Sequence, residues 1–234
     1  MGITITTMPD HAGGSTDPQS LVRLMTWLSP AFPVGGFAYS GGLETAVVEV
    51  RVSSAGDLAV WLETLLGSGS LRNDAILLAE AHRTFSDAER LAEIAELAAA
   101  LAGSAERYLE AVRQGDAFLA AAAAWPRPVL SRLGPGTAYG VAVGAVAAAN
   151  GVALLDTLLA FLQAQCAQLA SAAIRLGLIG QRQAVGILAG LETQIITQAQ
   201  AFEHLGMDDL GSATVLADIL SMRHETQYSR LFRS

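Results

Sequence analysis

Apolar residues recur three and four positions apart along most of this chain, and strict alternation of apolar and polar residues is scarce. This spacing places the apolar side chains on one face of a helix. Asp17 followed by Pro18 is typical of a helix start, because the carboxylate caps free amides and proline suits the first helical position. This first helix is expected to bury Leu21, Leu24, Met25 and Leu28.

Cap and breaker residues divide the rest of the chain into further predicted helices. Helices are expected to start at Ser40, Asp57, residue 70, the capping box Ser86-Asp87-Ala88-Glu89, Ser104, residue 137 and Ser212. Gly151, Gly177 and Gly206 are expected to be breaks or ends around two further long, apolar helices. The sequence therefore predicts an all-α, single-domain globular bundle of about ten helices. We expect a flexible N-terminal segment over 1–16, a helical domain over 17–222 and a tail over 223–234.

Residues 29–44 interrupt this pattern with two prolines and four glycines in sixteen positions. The prolines restrict the backbone and the paired glycines permit tight turns. Phe32, Phe37 and Tyr39 are mounted on this irregular segment. A long aromatic loop suits a contact surface, and the alternative is a loop whose aromatic side chains point inward and fill the core.

Composition excludes several classes of protein. All fourteen basic residues are arginine, so a P-loop lysine and a Schiff-base lysine are both absent. The net charge of −8 argues against a nucleic-acid partner. Cys166 is the single cysteine, which rules out an internal disulfide and a CxxC metal site and is compatible with the reducing cytoplasm. The chain does not begin like a signal peptide, so we expect a cytoplasmic protein.

Residues 133–155 carry no charge, and a stretch of this length can span a bilayer. However, much of it is alanine and glycine, and Pro135, Asn150 and Gly151 interrupt it. It also lacks aromatic or basic flanks at both ends. We therefore expect a buried central helix in close contact with its neighbours and no membrane partner.

The residues that could carry chemistry form no recognisable active site. Histidines occur at positions His11, His82, His204 and His224, and no two have helical ligand spacing. The carboxylate pairs Glu93/Glu96 and Glu106/Glu110 are expected to form solvated helix faces with neighbouring arginines. The sequence thus predicts no catalytic residue, no cofactor and no metal site within this chain alone. A metal site shared across an interface stays open.

The end of the chain is the second unusual feature. If the last helix continued past Met222, one face would carry His224, Tyr228 and Leu231, with polar groups nearly all round. The segment 223–234 holds three arginines and one glutamate, so a basic tail follows an acidic body. Its last seven residues are too few and too polar to fold alone. We expect the tail to order on binding a partner, with simple fraying as the alternative.

These two segments together resemble the urease accessory protein F (UreF) family, over essentially the whole chain after residue 17. The first signature comprises Leu28-Ser29-Pro30, Pro33-Val34-Gly35, Phe37-Ala38-Tyr39-Ser40 and Gly42-Leu43-Glu44. The second comprises His224-Glu225, Tyr228-Ser229-Arg230-Leu231-Phe232 and Ser234. Position 36 is glycine where the family often has alanine or serine.

The resemblance implies an all-helical, non-catalytic homodimer that joins the accessory protein D (also called H) and the GTPase accessory protein G. The complex loads nickel into apo-urease, and the F protein is expected to modulate the GTPase. The resemblance also implies that Tyr39 and Arg230 rearrange when the partner binds. The residues expected to bind partners are Phe37, Tyr39, Ser40, Glu44, His224, Tyr228, Arg230, Leu231 and Phe232.

A second class of function stays open at this point. A small helical hydrolase or metal-dependent enzyme could assemble its site from residues scattered along the chain. Capture of the D/H and G proteins would distinguish the assembly factor from such an enzyme.

Overall fold

Ten α-helices account for most of residues 17–234, the part of the chain that this computed structural model describes. They are α1 (Pro18–Trp27), α2 (Leu43–Val48), α3 (Ala55–Ser68), α4 (Ser70–Arg83), α5 (Ala88–Ala100), α6 (Ala105–Ala122), α7 (Tyr139–Ala149), α8 (Leu154–Arg175), α9 (Gln181–Phe202) and α10 (Val215–His224). Short 3-10 turns lie at Gly36–Ala38, Pro128–Ser131 and Met207–Asp209. These residues contain no strand, and the predicted all-α fold is confirmed. The segment 1–16, predicted to be flexible, lies outside the described residues.

Helix α7 runs through the centre of the bundle, where its residues from Tyr139 to Ala147 are all buried. It packs against α4, α6 and α8. Glycine permits this close packing, because a Cβ on Gly144 would lie 2.2 Å from the carbonyl oxygen of Leu78 in α4. The expected buried central helix is therefore confirmed. At 11 residues, α7 is also much shorter than the roughly 20 residues needed to cross a bilayer.

Helix α8 is the one helix in residues 17–234 that is long and apolar enough to cross a membrane by length and composition. However, 50% of its most apolar stretch is buried inside the protein. Its buried side chains include Leu158, Phe161 and Leu162. Core helices pass the same test, so the length and composition of α8 are weak evidence for a membrane span.

Two of the predicted helix caps lie where the sequence places them. Asp17 accepts a hydrogen bond from the amide of Ser20 at 2.9 Å, with Pro18 in the first helical position. Ser104 accepts from the amide of Arg107 at 3.1 Å and begins α6. Each cap satisfies an amide that has no partner inside its helix.

Helices α3, α5 and α10 begin at a different residue from the one predicted. Helix α3 starts after Ser54, whose hydroxyl accepts from the amide of Asp57 at 3.1 Å. The Asp57 carboxylate in turn accepts from the amide of Ser53 at 3.0 Å, so the predicted cap residue lies inside the first turn. Helices α5 and α10 start one and two residues later than predicted, after Asp87 and Thr214.

Helix α1 turns a different face to the core from the one predicted. Leu24 is buried as expected, but Leu21 and Met25 are exposed. Trp27 is fully buried instead and makes edge contacts with two other rings, with centroids 6.4 and 5.6 Å apart. Because an indole buries more apolar area than a leucine, Trp27 sets the rotation of the helix.

Candidate protein-binding site

The aromatic loop that precedes α2 depends on glycine at three points. Gly35, Gly41 and Gly42 have φ angles of 73°, 58° and 83°, a region that other residues rarely adopt. Gly42 is the N-cap of α2, so the helix begins two residues later than the predicted cap, Ser40. Ser40 keeps a capping role in part, since its hydroxyl accepts from the amide of Glu44 at 3.3 Å.

The three aromatic side chains of this loop lie in different environments. Phe32 packs, half-buried, against the rings of Phe118 and Trp125. Tyr39 is only 6% exposed, whereas Phe37 is 74% exposed. The loop thus fills the core with two of its aromatic residues and presents the third to solvent.

Tyr39 therefore differs from the expectation of an exposed recognition residue. The backbone on both sides of it pairs with the end of the chain. The amide of Arg233 donates to the carbonyl of Ala38 at 2.8 Å, and the amide of Ser40 donates to the carbonyl of Ser234 at 2.8 Å. These two hydrogen bonds hold the segment flat against the body, and the tyrosine ring is buried in the single chain.

The end of the chain does not continue as a helix. Helix α10 ends at His224, and residues 225–234 turn back toward α2. His224, Tyr228 and Leu231 therefore do not share a helical face. The amide of Gln227 bonds to the carbonyl of His224, three residues back, so the helical ladder stops there.

Glu44 of α2 holds this returning segment. Its carboxylate accepts from the amide of Leu231 at 2.7 Å and from the amide of Phe232 at 2.9 Å. It also lies 3.0 Å from Nε2 of His224. Glu44 is buried, and hydrogen bonds to a buried carboxylate are among the stronger ones in proteins.

Two glutamates of α6 complete the contacts. Glu106 lies 2.6 Å from Nδ1 of His224 and accepts from Arg230 at 2.6 Å. Glu110 accepts from the hydroxyl of Ser234 at 2.9 Å and pairs with Arg107 at 2.7 Å. The Glu110 carboxylate raises the pKa of Arg107 above its usual value. We call Glu44, Glu106, Glu110, His224 and Arg230 the tail-binding cluster.

This cluster corrects the view of Glu106 and Glu110 as a solvated helix face. Both are buried, because the end of the chain covers that side of α6. The other predicted pair behaves as expected at Glu93, which forms an exposed ion pair with Arg90 at 2.7 Å. Periodicity places all four glutamates on helix surfaces, but it does not show which surface a distant segment covers.

His224 is fully buried between two carboxylates. Each ring nitrogen lies within hydrogen-bond distance of a carboxylate oxygen, Nδ1 with Glu106 and Nε2 with Glu44. Arg230 forms an ion pair with the same Glu106, so the cluster fixes the end of the chain by charge as well as by hydrogen bonds.

The predicted partner-binding residues separate into two groups. The buried members are Tyr39, Ser40, Glu44, His224 and Phe232. The exposed members are Phe37, Tyr228, Arg230 and Leu231. The buried group positions the backbone, whereas Phe37, Tyr228 and Leu231 present their side chains to solvent and Arg230 pairs with Glu106 from the exposed edge. The expectation that the tail needs a partner in order to fold also changes, since Phe232 and Ser234 are buried in the single chain.

Among residues 17–234, no group of three or more His, Cys, Asp or Glu side chains could hold a metal ion.

Cys166 is fully buried, and burial raises the pKa of its thiol to about 12. Such a thiol is a poor nucleophile at neutral pH because the thiolate is the reactive form. His82 binds the carbonyl oxygen of Val152 at 2.8 Å, a structural contact.

Comparison with known proteins places the chain in a family. The family model for UreF matches residues 52–192, more than half of the chain. A urease accessory protein UreF from Rhizobium etli (strain CIAT 652) is 56% identical over 221 residues, which cover 94% of this chain and 99% of that protein. Proteins of the same name from Agrobacterium fabrum and Sinorhizobium medicae are 58% identical over 215 residues and 52% identical over 227 residues. Those alignments cover 92% and 97% of this chain, and 96% and 100% of the two relatives.

The chain is therefore a urease accessory protein by class, and its described residues have an all-helical fold. Within that class the chain belongs to the UreF family. The resemblance inferred from the two sequence signatures is thereby confirmed.

Proposed function

We propose that this chain is a non-catalytic maturation factor that assists nickel insertion into apo-urease in the cytoplasm. It acts as a homodimer that bridges the accessory protein D/H and the GTPase accessory protein G and modulates the GTPase step. Membership of the UreF family supports this proposal. Nickel is cargo here, handled by the whole complex.

The observation that carries the proposal is the division of the signature residues into a buried and an exposed group. Phe37 and Leu231 are exposed apolar side chains on backbone that buried hydrogen bonds hold in place. Preorganised apolar and arginine side chains are effective anchors in protein interfaces, because little freedom is lost when a partner binds. The two sequence signatures thus meet in one surface that suits a protein partner.

A homodimer accounts for a separate apolar surface on α1. Leu21, Val22 and Met25 are exposed there, beside a groove of about 470 Å³ between α1 and α8. Monomeric proteins rarely leave such neighbouring apolar side chains uncovered, and a second copy of the chain would cover them.

We propose partner-linked ordering for the exposed part of the tail rather than for all of it. Phe232 and Ser234 already have buried contacts. Tyr228 and Leu231 are exposed, so their side chains gain contacts only from another protein. Arg230 lies between the two groups, since its guanidinium reaches Glu106 from the exposed edge.

Co-purification with the D/H and G proteins tests this function. Tyr228→Ala and Leu231→Ala should weaken capture of D/H and leave the melting temperature unchanged, because both side chains are exposed. Val185→Ala is the matched control, an exposed apolar residue of α9 that should keep full capture. If the wild-type chain captures neither D/H nor G, or if all three variants behave alike, the proposal is wrong.

A further inference from the structure

One cavity beside the aromatic loop concentrates positive charge on an otherwise acidic protein. It has a volume of about 490 Å³ and is lined by Arg113 of α6, Arg175 of α8 and Arg233 of the tail. None of the three forms an ion pair with any residue in 17–234. The described lining residues include no aspartate or glutamate. Three arginines from distant parts of the sequence thus meet without a carboxylate to balance them.

The Arg175 side chain and the Arg233 backbone are held in place by contacts that leave the arginine charge available. Arg175 stacks on the ring of Phe232, with its guanidinium carbon 4.3 Å from the ring centroid, and donates to the carbonyl of Phe37. The backbone of Arg233 is fixed by its hydrogen bond to Ala38. A positioned guanidinium loses little freedom on binding a carboxylate, which it can contact through two parallel hydrogen bonds.

We propose that this cavity is a docking site for an acidic segment of a partner protein. The site deepens the proposed function and rests on it, because it lies beside the exposed signature residues. The whole chain carries a net charge of −8, which repels an acidic segment. Attraction must therefore come from the positive charge concentrated in this cavity. Arginine clusters recognise acidic motifs in this way.

The other side chains of the cavity favour a peptide over a small anion. Pro33 and Val34 line it, and Phe37 and Leu231 stand at its wall with 74% and 61% of their surface exposed. A free phosphate would satisfy the arginines but leave these apolar groups in water. A segment that alternates acidic residues with an apolar one would cover both.

Fluorescence anisotropy on the full-length protein tests the site directly. The probe is a labelled peptide of aspartates and glutamates around one leucine, and its control carries asparagine and glutamine instead. Arg113→Glu and Arg233→Glu should each weaken binding of the acidic peptide by about tenfold or more. Arg182→Glu is the matched control, because Arg182 is exposed in α9 and does not line the cavity. It should change the affinity by less than about twofold.

Unchanged melting temperatures would show that the variants are folded. The inference is overturned if Arg113→Glu/Arg233→Glu binds the acidic peptide as the wild type does, or if the neutral peptide binds equally well. It is also overturned if inorganic phosphate displaces the peptide at the peptide's own concentration, which would indicate a small-anion site.

A second arm separates this inference from the proposed function. The wild type and Arg113→Glu/Arg233→Glu are each mixed with the purified D/H protein. Loss of capture in the double variant supports the docking site. If both capture D/H equally, the proposed function stands and the docking role of the cavity is wrong. If the wild type itself captures no D/H, the proposed function fails, whatever the peptide result.

Discussion

Replacing Glu44 by glutamine tests whether the tail-binding cluster holds the end of the chain. The two side chains have the same shape, so packing is preserved. Glu44 accepts three hydrogen bonds, from the amides of Leu231 and Phe232 and from His224. A glutamine has one accepting oxygen where glutamate has two. At least one of these donors must therefore face an NH₂ group.

The size of the effect follows from these contacts. A hydrogen bond to a charged group contributes about 1.5–3 kcal/mol, and all three hydrogen bonds of Glu44 weaken when its carboxylate is replaced by a neutral amide. We expect Glu44→Gln to lower the free energy of unfolding by about 3 kcal/mol. The loss cannot exceed the free energy that docks residues 225–234, because a larger penalty would detach the segment and leave the helices folded.

Urea denaturation and amide hydrogen exchange measure the two parts of this prediction. The unfolding midpoint should fall, and the amides of Leu231 and Phe232 should lose most of their protection. Glu93→Gln is the control, since Glu93 forms an exposed ion pair and should change stability by less than about 0.5 kcal/mol. Equal midpoints for Glu44→Gln and Glu93→Gln, with the tail still protected, would refute the reasoning.

Three further predictions concern the core and the aromatic loop. Gly144→Ala should cost about 1–3 kcal/mol in urea denaturation, because its Cβ would meet a backbone oxygen of α4. Gly186→Ala, with open space in α9, should be neutral or stabilising, and equal effects would contradict the close α4–α7 contact. Cys166 should react with a thiol reagent at pH 8 only after unfolding, and rapid labelling of the native protein would show that it is accessible. Tyr39→Ala should lower the free energy of unfolding by about 1–3 kcal/mol, and Phe37→Ala by less than about 0.5 kcal/mol. The reverse order would show that Tyr39 is the exposed ring.

Local information in the sequence was enough to predict the fold class and most helices. Asp17 and Ser104 cap their helices by accepting from amides only three residues away, so both caps can be predicted from the sequence. The buried position of α7 could also be predicted, because its sequence carries no charge and its glycines and alanines permit close packing. Family membership also followed from local motifs at the two ends of the described chain.

Tertiary structure decided which of the signature residues are buried. Glu44 meets Phe232 across 188 positions, and His224 meets Glu106 across 118. Helical periodicity places each of these residues on a face, but it cannot show which distant segment covers that face. The burial of Tyr39 and Glu110, and the exposure of Leu21 and Met25, could not be predicted for this reason.

The sequence by itself therefore determined an all-helical protein with an aromatic loop and an unusual C-terminal segment. Only the tertiary structure showed that the segment returns to α2 and α6 and leaves Phe37 and Leu231 exposed beside Arg113, Arg175 and Arg233. Hydrogen bonds of the helical ladder form between near neighbours, so local composition reports on them. Burial of charge and the meeting of arginines depend on contacts between residues far apart in the chain, which the folded arrangement alone specifies.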